Sequence, residues 1–262
     1  MHHTSEDRVD PTEALLVDER TLGVPELDTF AQQGLITRIH SKLTSGKEAT
    51  VYCCRAHPST NRKFLAAKVY REHAANAYRR CGVYFEGRER LLKARTLRAI
   101  ERGTEFGRQA MTAIWMWAEY DALRRLSAAR ADVPRPYAMC GSVVLMEYIG
   151  NGEGPAPQLN GIGLDSDQAQ RLFDRLLDNV ETLLRANLAH GDLSPYNVLV
   201  WKGRPWIIDL PQAVDVRFNR SAFELLRRDV ENICTFFAQH GVRSNPANLA
   251  LDLWEKYQRA EL

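Results

Sequence analysis

Two short apolar runs in the second half of the chain, Val198-Leu199-Val200-Trp201 and Trp206-Ile207-Ile208, read as the arms of a hairpin. The first arm is entered from His190-Gly191-Asp192-Leu193-Ser194-Pro195-Tyr196-Asn197, and the second ends on Asp209. Loop and hairpin together bring Asp192, Asn197 and Asp209 to one place. This is a narrow demand on a fold, because three hard oxygen donors must converge without being buried as structural caps. Their types suit phosphoryl transfer. One carboxylate can orient or deprotonate an attacking hydroxyl, and a carboxylate with an amide oxygen can hold a divalent cation. The H-x-D-x-x-x-x-N spacing before a strand is the pattern of a catalytic loop of that chemistry. The plainer alternative, in which Asp192 caps a turn and Asp209 ends a buried strand, serves either residue alone and is disfavoured by their joint occurrence with the features that follow.

Upstream, Ser45-Gly46-Lys47 lies between a strand ending near Leu43 and a second strand over Ala49–Cys54, where a loop could cover nucleotide phosphates with backbone N–H groups and the Ser45 hydroxyl. It carries one glycine and lacks the G-x-G-x-x-G pattern, so alone it is equally a hairpin turn. A third strand, Phe64–Tyr70, contains Lys68, suited to pairing with phosphates. Ile114, Trp117, Ala118, Tyr120, Leu123 and Leu126 recur at helical spacing and predict an amphipathic helix over about 109–130, stopped by Pro134 and Pro136. An acid on that helix is the expected partner of Lys68. Glu119, four residues after Trp115, is chosen over Asp121. Val143–Tyr148 reads as a buried strand, and Met146, Glu147 and Ile149 at its end are candidates to meet an adenine, through backbone groups in the last two. Plain core is an equal reading of Met146.

These elements divide the 262 residues into a poorly ordered arm over 1–26, a sheet-bearing lobe over 27–150 with a basic flexible segment at 71–108, and a mainly helical lobe over 151–262. Helices are expected over 165–187, 222–240 and 247–260. The fold class is α+β and two-lobed, like a protein kinase, with a short or absent activation segment. With 45% hydrophobic and 26% charged residues the chain can bury a core. A net charge of +2 is too mild to imply nucleic-acid binding by itself. Five cysteines without a C-x-x-C pair support neither a disulfide framework nor a zinc site, which points to a reducing, cytoplasmic setting. Neither a signal peptide nor a membrane-length apolar run is visible, so no membrane partner is expected.

Taken in order, Ser45-Gly46-Lys47-Glu48-Ala49 with Val51-Tyr52, Lys68, Trp117-Ala118-Glu119, Met146 to Gly150, His190 to Ser194 with Tyr196-Asn197, and Ile208-Asp209 with Gln212 resemble the RIO family of atypical serine kinases over about residues 31–240. The likeness is closer to the first subfamily than to the second, which carries a winged-helix domain. The resemblance implies ATP with Mg²⁺ or Mn²⁺, Asp192 as catalytic base, Asn197 and Asp209 as metal ligands, Lys68 on phosphates and Glu119 anchoring Lys68. It also implies a protein substrate of unnamed identity, a serine/threonine kinase or ATPase activity, and a part in small-subunit ribosome maturation. Pro195 and Pro211 depart from the residues usual in that family. Three other readings stay open: an ATP-driven assembly switch binding ribosomal RNA or protein through 71–108, a small-molecule kinase of the aminoglycoside or choline type, and a nucleotide-binding pseudoenzyme.

Overall fold

In the computed structural model, which describes residues 22–71 and 92–262, β-branched and small apolar residues build the first half of the chain into an antiparallel sheet. Strands β1 (Ile36–Ser45), β2 (Ala49–Ala56) and β3 (Phe64–Tyr70) form a meander. Strands β4 (Pro136–Cys140) and β5 (Val143–Glu147) complete the order β1-β2-β3-β5-β4. The expected first strand thus runs on through Ser45, and β4 was not expected. Pro136 opens β4 at the sheet's edge, where a missing N–H costs no ladder bond.

The strand period of two gives the sheet two different faces. Leu65, Ala67 and Val69 of β3 join Cys54, Val143 and Leu145 in an outer cluster closed by Leu27 and Phe30. Phe30 lies on the short helix α1 (Asp28–Gln32), entered through a 3₁₀ turn at Pro25–Leu27. Leu22 and Val24 pack there too, so the last residues of the expected arm 1–26 belong to the folded body, and 1–21 lie outside the described residues. Ala66 and Tyr70 face the other way, into a larger cluster that also takes in Val144, Met146 and the helices of the second half. Lys68, opposite Val51 and Val144, points to this inner side.

Helix α2 (Ala94–Arg102) leads through Gly103 into α3 (Glu105–Ala128). Gly103 takes a left-handed φ of 62°, and a Cβ on Gly107 would come within 2.1 Å of the Ala99 carbonyl oxygen, so the two helices close on each other only because these positions are glycine. The flexible basic segment expected over 71–108 is therefore helical over 94–102 and again from 105, while 72–91 lies outside the described residues. Thr104 caps α3 by accepting from the Gly107 N–H, which moves its start four residues ahead of the expected 109.

Beyond Glu147 the chain becomes mainly helical. Helix α4 (Ser166–Arg185) is started by a capping box between Asp165 and Gln168 and buries Leu172, Leu176, Val180 and Leu183 against α5 (Ala222–Ala238) and α6 (Pro246–Gln258). Two small antiparallel pairs cross this body: β7 (Val198–Trp201) with β8 (Arg204–Ile207), and the two-residue strands β6 (Leu188–Ala189) with β9 (Val214–Asp215). Among the described residues no helix is long and apolar enough to cross a membrane.

Candidate active site

The Lys68 ammonium lies 2.8 Å from Glu119 Oε1 and 2.6 Å from Asp209 Oδ1, joining β3, α3 and the end of the hairpin. Burial opposes its charge, but the two carboxylates outweigh that and raise the Lys68 pKa above its ordinary value. Glu119 is only 2% exposed and fully employed. Its Oε1 also accepts from the Leu210 N–H at 3.3 Å, and its Oε2 accepts from the buried Tyr70 hydroxyl. Asp121 turns instead to Arg125, 3.7 Å away.

Asp209 keeps 45% of its side chain exposed while Lys68 holds its carboxyl below the usual range. Its φ of 65° is left-handed, a conformation that Asp tolerates better than most residues and that recurs at functional sites. Leu210 to Ala213 then closes a turn, with Pro211 in the second position that a fixed φ favours. Pro195 finds a similar place at the start of the 3₁₀ turn Pro195–Asn197. Both prolines therefore fit without strain.

Asn197 donates through Nδ2 to the Asp192 carbonyl at 2.9 Å and, at 3.5 Å, to the Asp192 carboxylate, while its amide oxygen is not engaged among the described residues. The Ile208 N–H donates to the Asn197 carbonyl at 2.9 Å, tying the loop to the strand end that carries Asp209. His190 is buried and bridges both sides. Its Nε2 donates to the Ile208 carbonyl at 3.1 Å, and its Nδ1 accepts from the Asp192 N–H at 3.3 Å. Burial raises the Asp192 pKa above the ordinary aspartate value, with His190 and Arg228 opposing and Asp209 assisting.

Asp229 on α5 is a site residue that sequence reasoning missed. Its two oxygens accept from the N–H groups of Gly191 (2.7 Å) and Leu193 (2.8 Å), the residues on either side of Asp192. Burial pushes its pKa up to about 6 against the pull of His190 and these two N–H groups. Arg228 donates to the Gly191 carbonyl and Asn232 to that of Leu193 at 3.0 Å, so one face of α5 holds the loop. The only signal in the sequence was an acid on the buried side of an amphipathic helix.

The Ser45–Lys47 loop turns its polar groups differently from the expectation. Ser45 pairs with Thr50, and Thr50 with Val69, so these side chains lie on the outer face of the sheet, opposite to Lys68. The Ser45 hydroxyl bonds to Thr50 (3.3 Å) and accepts from Arg71 (2.6 Å) instead of turning toward the Lys68 side of the sheet. The Gly46 N–H is spent on the Ala49 carbonyl at 2.9 Å, and Gly46 has no left-handed φ. The exposed Lys47 keeps an uncommitted N–H and ammonium among the described residues. At the end of β5, Met146 is buried against Ala66, and the Glu147 carboxylate turns away to Arg62 at 3.1 Å. The Ile149 carbonyl accepts from Ala156 at 2.9 Å, whereas its N–H has no partner among the described residues. That orphaned N–H in a buried residue suits a ring nitrogen of a purine.

Among the described residues no three His, Cys, Asp or Glu side chains are grouped to hold a metal. One carboxylate and one amide oxygen, as in Asp209 and Asn197, are the hard donors expected where phosphates and water complete the shell of a Mg²⁺ ion. Residues 50–249 match the RIO domain family. The chain belongs to that family. The RIO-type serine/threonine-protein kinase Rio1 of Thermoplasma acidophilum is 30% identical over 187 residues, 71% of this chain and 91% of that one. The serine/threonine-protein kinase RIO1 of Caenorhabditis elegans is 32% identical over 238 residues, 90% of this chain. The chain spans 44% of that nematode protein's length. Among solved structures, the Rio2 kinase of Chaetomium thermophilum in a complex with ADP, Mg²⁺ and phosphoaspartate superposes with a TM-score of 0.64 at 19% identity, covering 88% of this chain and 65% of that one. The RIO domain here is thus of serine/threonine kinase type and two-lobed, and the match lies with the family's Rio1-type kinases.

Proposed function

We propose that this RIO domain transfers the γ-phosphoryl group of ATP, with Mg²⁺ or Mn²⁺, to a serine or threonine hydroxyl, its own or that of a protein substrate, or to water. The observation that carries the reading is Lys68 gripped between Glu119 and Asp209 while the same hairpin end is bonded to the Asp192–Asn197 loop. Adenine would lie against Met146 to Ile149, and the phosphates between Lys47 and Lys68. The division of labour between a lobe over 27–150 and a lobe over 151–262 follows from that placement.

A bound cation would be held by Asp209 and Asn197 and would neutralise charge on the phosphates. Lys68 holds a phosphate oxygen, and Glu119 keeps its ammonium aimed. Asp192 orients the acceptor hydroxyl and takes its proton as the oxygen bonds to the γ-phosphorus and the bond to the β-phosphate oxygen breaks, releasing ADP. Its raised proton affinity suits that part. The small-molecule-kinase alternative is disfavoured by kinship with named serine/threonine-protein kinases.

The assembly-switch reading keeps one supporting observation. Lys93, Arg95, Arg98 and Arg102 are exposed at α2 without an ion pair among the described residues, and the three arginines recur at i, i+3 and i+7 on one face. That face suits an anionic polymer such as RNA, and residues 72–91 of the same basic segment, with Arg79 and Arg80, lie outside the described residues. Filter binding of structured RNA across a salt series tests it. A contact through this face predicts a salt slope reduced by about one per arginine removed in Arg95→Ala and Arg98→Ala; an unchanged slope removes the reading.

A further inference from the structure

Arg71, the residue just after β3, braces the loop between β1 and β2 from outside. Its main-chain N–H donates to the Glu48 carbonyl at 2.8 Å. Its guanidinium donates to the Ser45 hydroxyl at 2.6 Å and to the Thr50 hydroxyl at 3.3 Å. Ser45 and Thr50 themselves lie 3.3 Å apart, one at each side of the loop, so three mutually bonded groups close its base. Thr50 is buried, and this is where its hydroxyl is satisfied.

The placement has a functional consequence. Glycine-rich nucleotide loops gain their shape from the close backbone approach that several glycines permit. This loop has one glycine, in an ordinary conformation, whose N–H is already spent within the hairpin. Its shape must be fixed by other means. One terminal nitrogen of the guanidinium, Nη2, donates to both oxygens, and it does so on the face away from Lys68, leaving the inner side of the loop clear. We infer that Arg71 is a positioning residue for nucleotide binding: it clamps Ser45 and Thr50 from the outer face of the sheet and so holds the Gly46–Glu48 turn over the phosphates. The inference rests on the proposed ATP site and adds to it a residue that touches no nucleotide atom.

Steady-state kinetics of ATP turnover, on the full chain, separate the two claims. If the unaltered protein neither binds nor turns over ATP, the site reading itself fails. With that activity in hand, Arg71→Ala should raise the KM for ATP about tenfold, the scale of one lost charge-assisted hydrogen bond in ordering the loop, while kcat stays within about twofold. Arg71→Lys, which keeps the charge but puts it on a compact, more strongly hydrated ammonium, should fall between. Ser45→Ala should also raise KM, and the double variant should be no worse than Arg71→Ala alone, because both break one clamp. An unchanged KM in Arg71→Ala would overturn the inference. So would a raised KM in Arg71→Ala with none in Ser45→Ala, which would mean that the guanidinium acts on the phosphates directly. A fall in kcat equal to the rise in KM, accompanied by a lowered thermal midpoint, would reduce Arg71 to a general structural contact and overturn it as well.

Discussion

Asp192 and Asp209 sit on one loop-and-hairpin unit yet live in different fields. Lys68 draws Asp209 down, and burial lifts Asp192. Under the proposed function the two carboxylates divide the work between acceptor and cation. Asp209→Asn should weaken Mg²⁺-dependent ATP binding and turnover together, measured by titration with a non-hydrolysable analogue and by rate. Asp192→Asn should keep that affinity and lose about 10²- to 10⁴-fold in rate. Equal, large affinity losses in both variants would contradict the assignment. Asp229 adds a pH dependence with two opposite signs. Its pKa is raised to about 6 in the fold, so its contribution to stability is fully present below its ordinary value of 3.8 and is lost as the pH rises through about 6. The ionised form is nevertheless the one that accepts from both loop N–H groups. Turnover should therefore fall as the pH drops below about 6 while the unfolding free energy, referred to Asp229→Asn, rises. A turnover profile flat from pH 5 to 7 would remove Asp229 from loop positioning. Sequence reasoning reached Glu119 because a helix puts position 119 on the face of Trp115. It did not reach Asp229, whose meaning comes from contacts with Gly191 and Leu193 in a distant part of the chain.

At the scale of elements, the hairpin β7–β8 is held against the turn after α3. Asp132, 1% exposed, accepts from Arg175 at 2.6 Å, from Asn179 at 3.0 Å and from Arg204, and its carbonyl accepts from the Ile207 N–H at 2.8 Å. The two guanidiniums are half in water, whereas the carboxylate is not. Removing both arginines strands a buried charge and should cost about 3–5 kcal/mol in urea unfolding. Asp132→Asn leaves the arginines solvated and should cost clearly less. The reverse order would contradict this account of the network. Long patterns were legible from sequence: Phe64–Tyr70 and Val198–Trp201 are found at the expected residues, and α4, α5 and α6 within a few residues of their expected ends. What was missed had too little pattern to read. Strands β6 and β9 are two residues each, β4 begins at a proline that also reads as a stop, and the arginines of α2 hid the apolar side formed by Leu97 and Ile100. The outward side chain of Ser45 was missed for a different reason, since it depends on register that spacing alone does not give.

At the scale of the whole molecule, one apolar cluster runs from the inner face of the sheet through Met116, Leu123 and Leu126 of α3 into α4 and α5, so the halves that supply Lys68 and Asp192 share a core. The outer cluster under Leu27 and Phe30 stiffens the sheet from its other side. Between Asp209 and the start of α5 at Ala222 the chain makes only turns and the short strand β9, paired with β6. That span leaves little platform for docking a long peptide, which fits transfer to the protein itself or to water as much as to a partner. The site should then act as a unit that needs both halves and a divalent cation. The most direct test is incubation of the full chain with γ-labelled ATP and Mg²⁺, with and without chelator, beside Asp192→Asn. Label should leave ATP for serine or threonine on protein, or for free phosphate, and both chelation and Asp192→Asn should suppress it. Label that stays on ATP in the unaltered protein with Mg²⁺ present, or that leaves equally fast in Asp192→Asn, would contradict the phosphotransferase account.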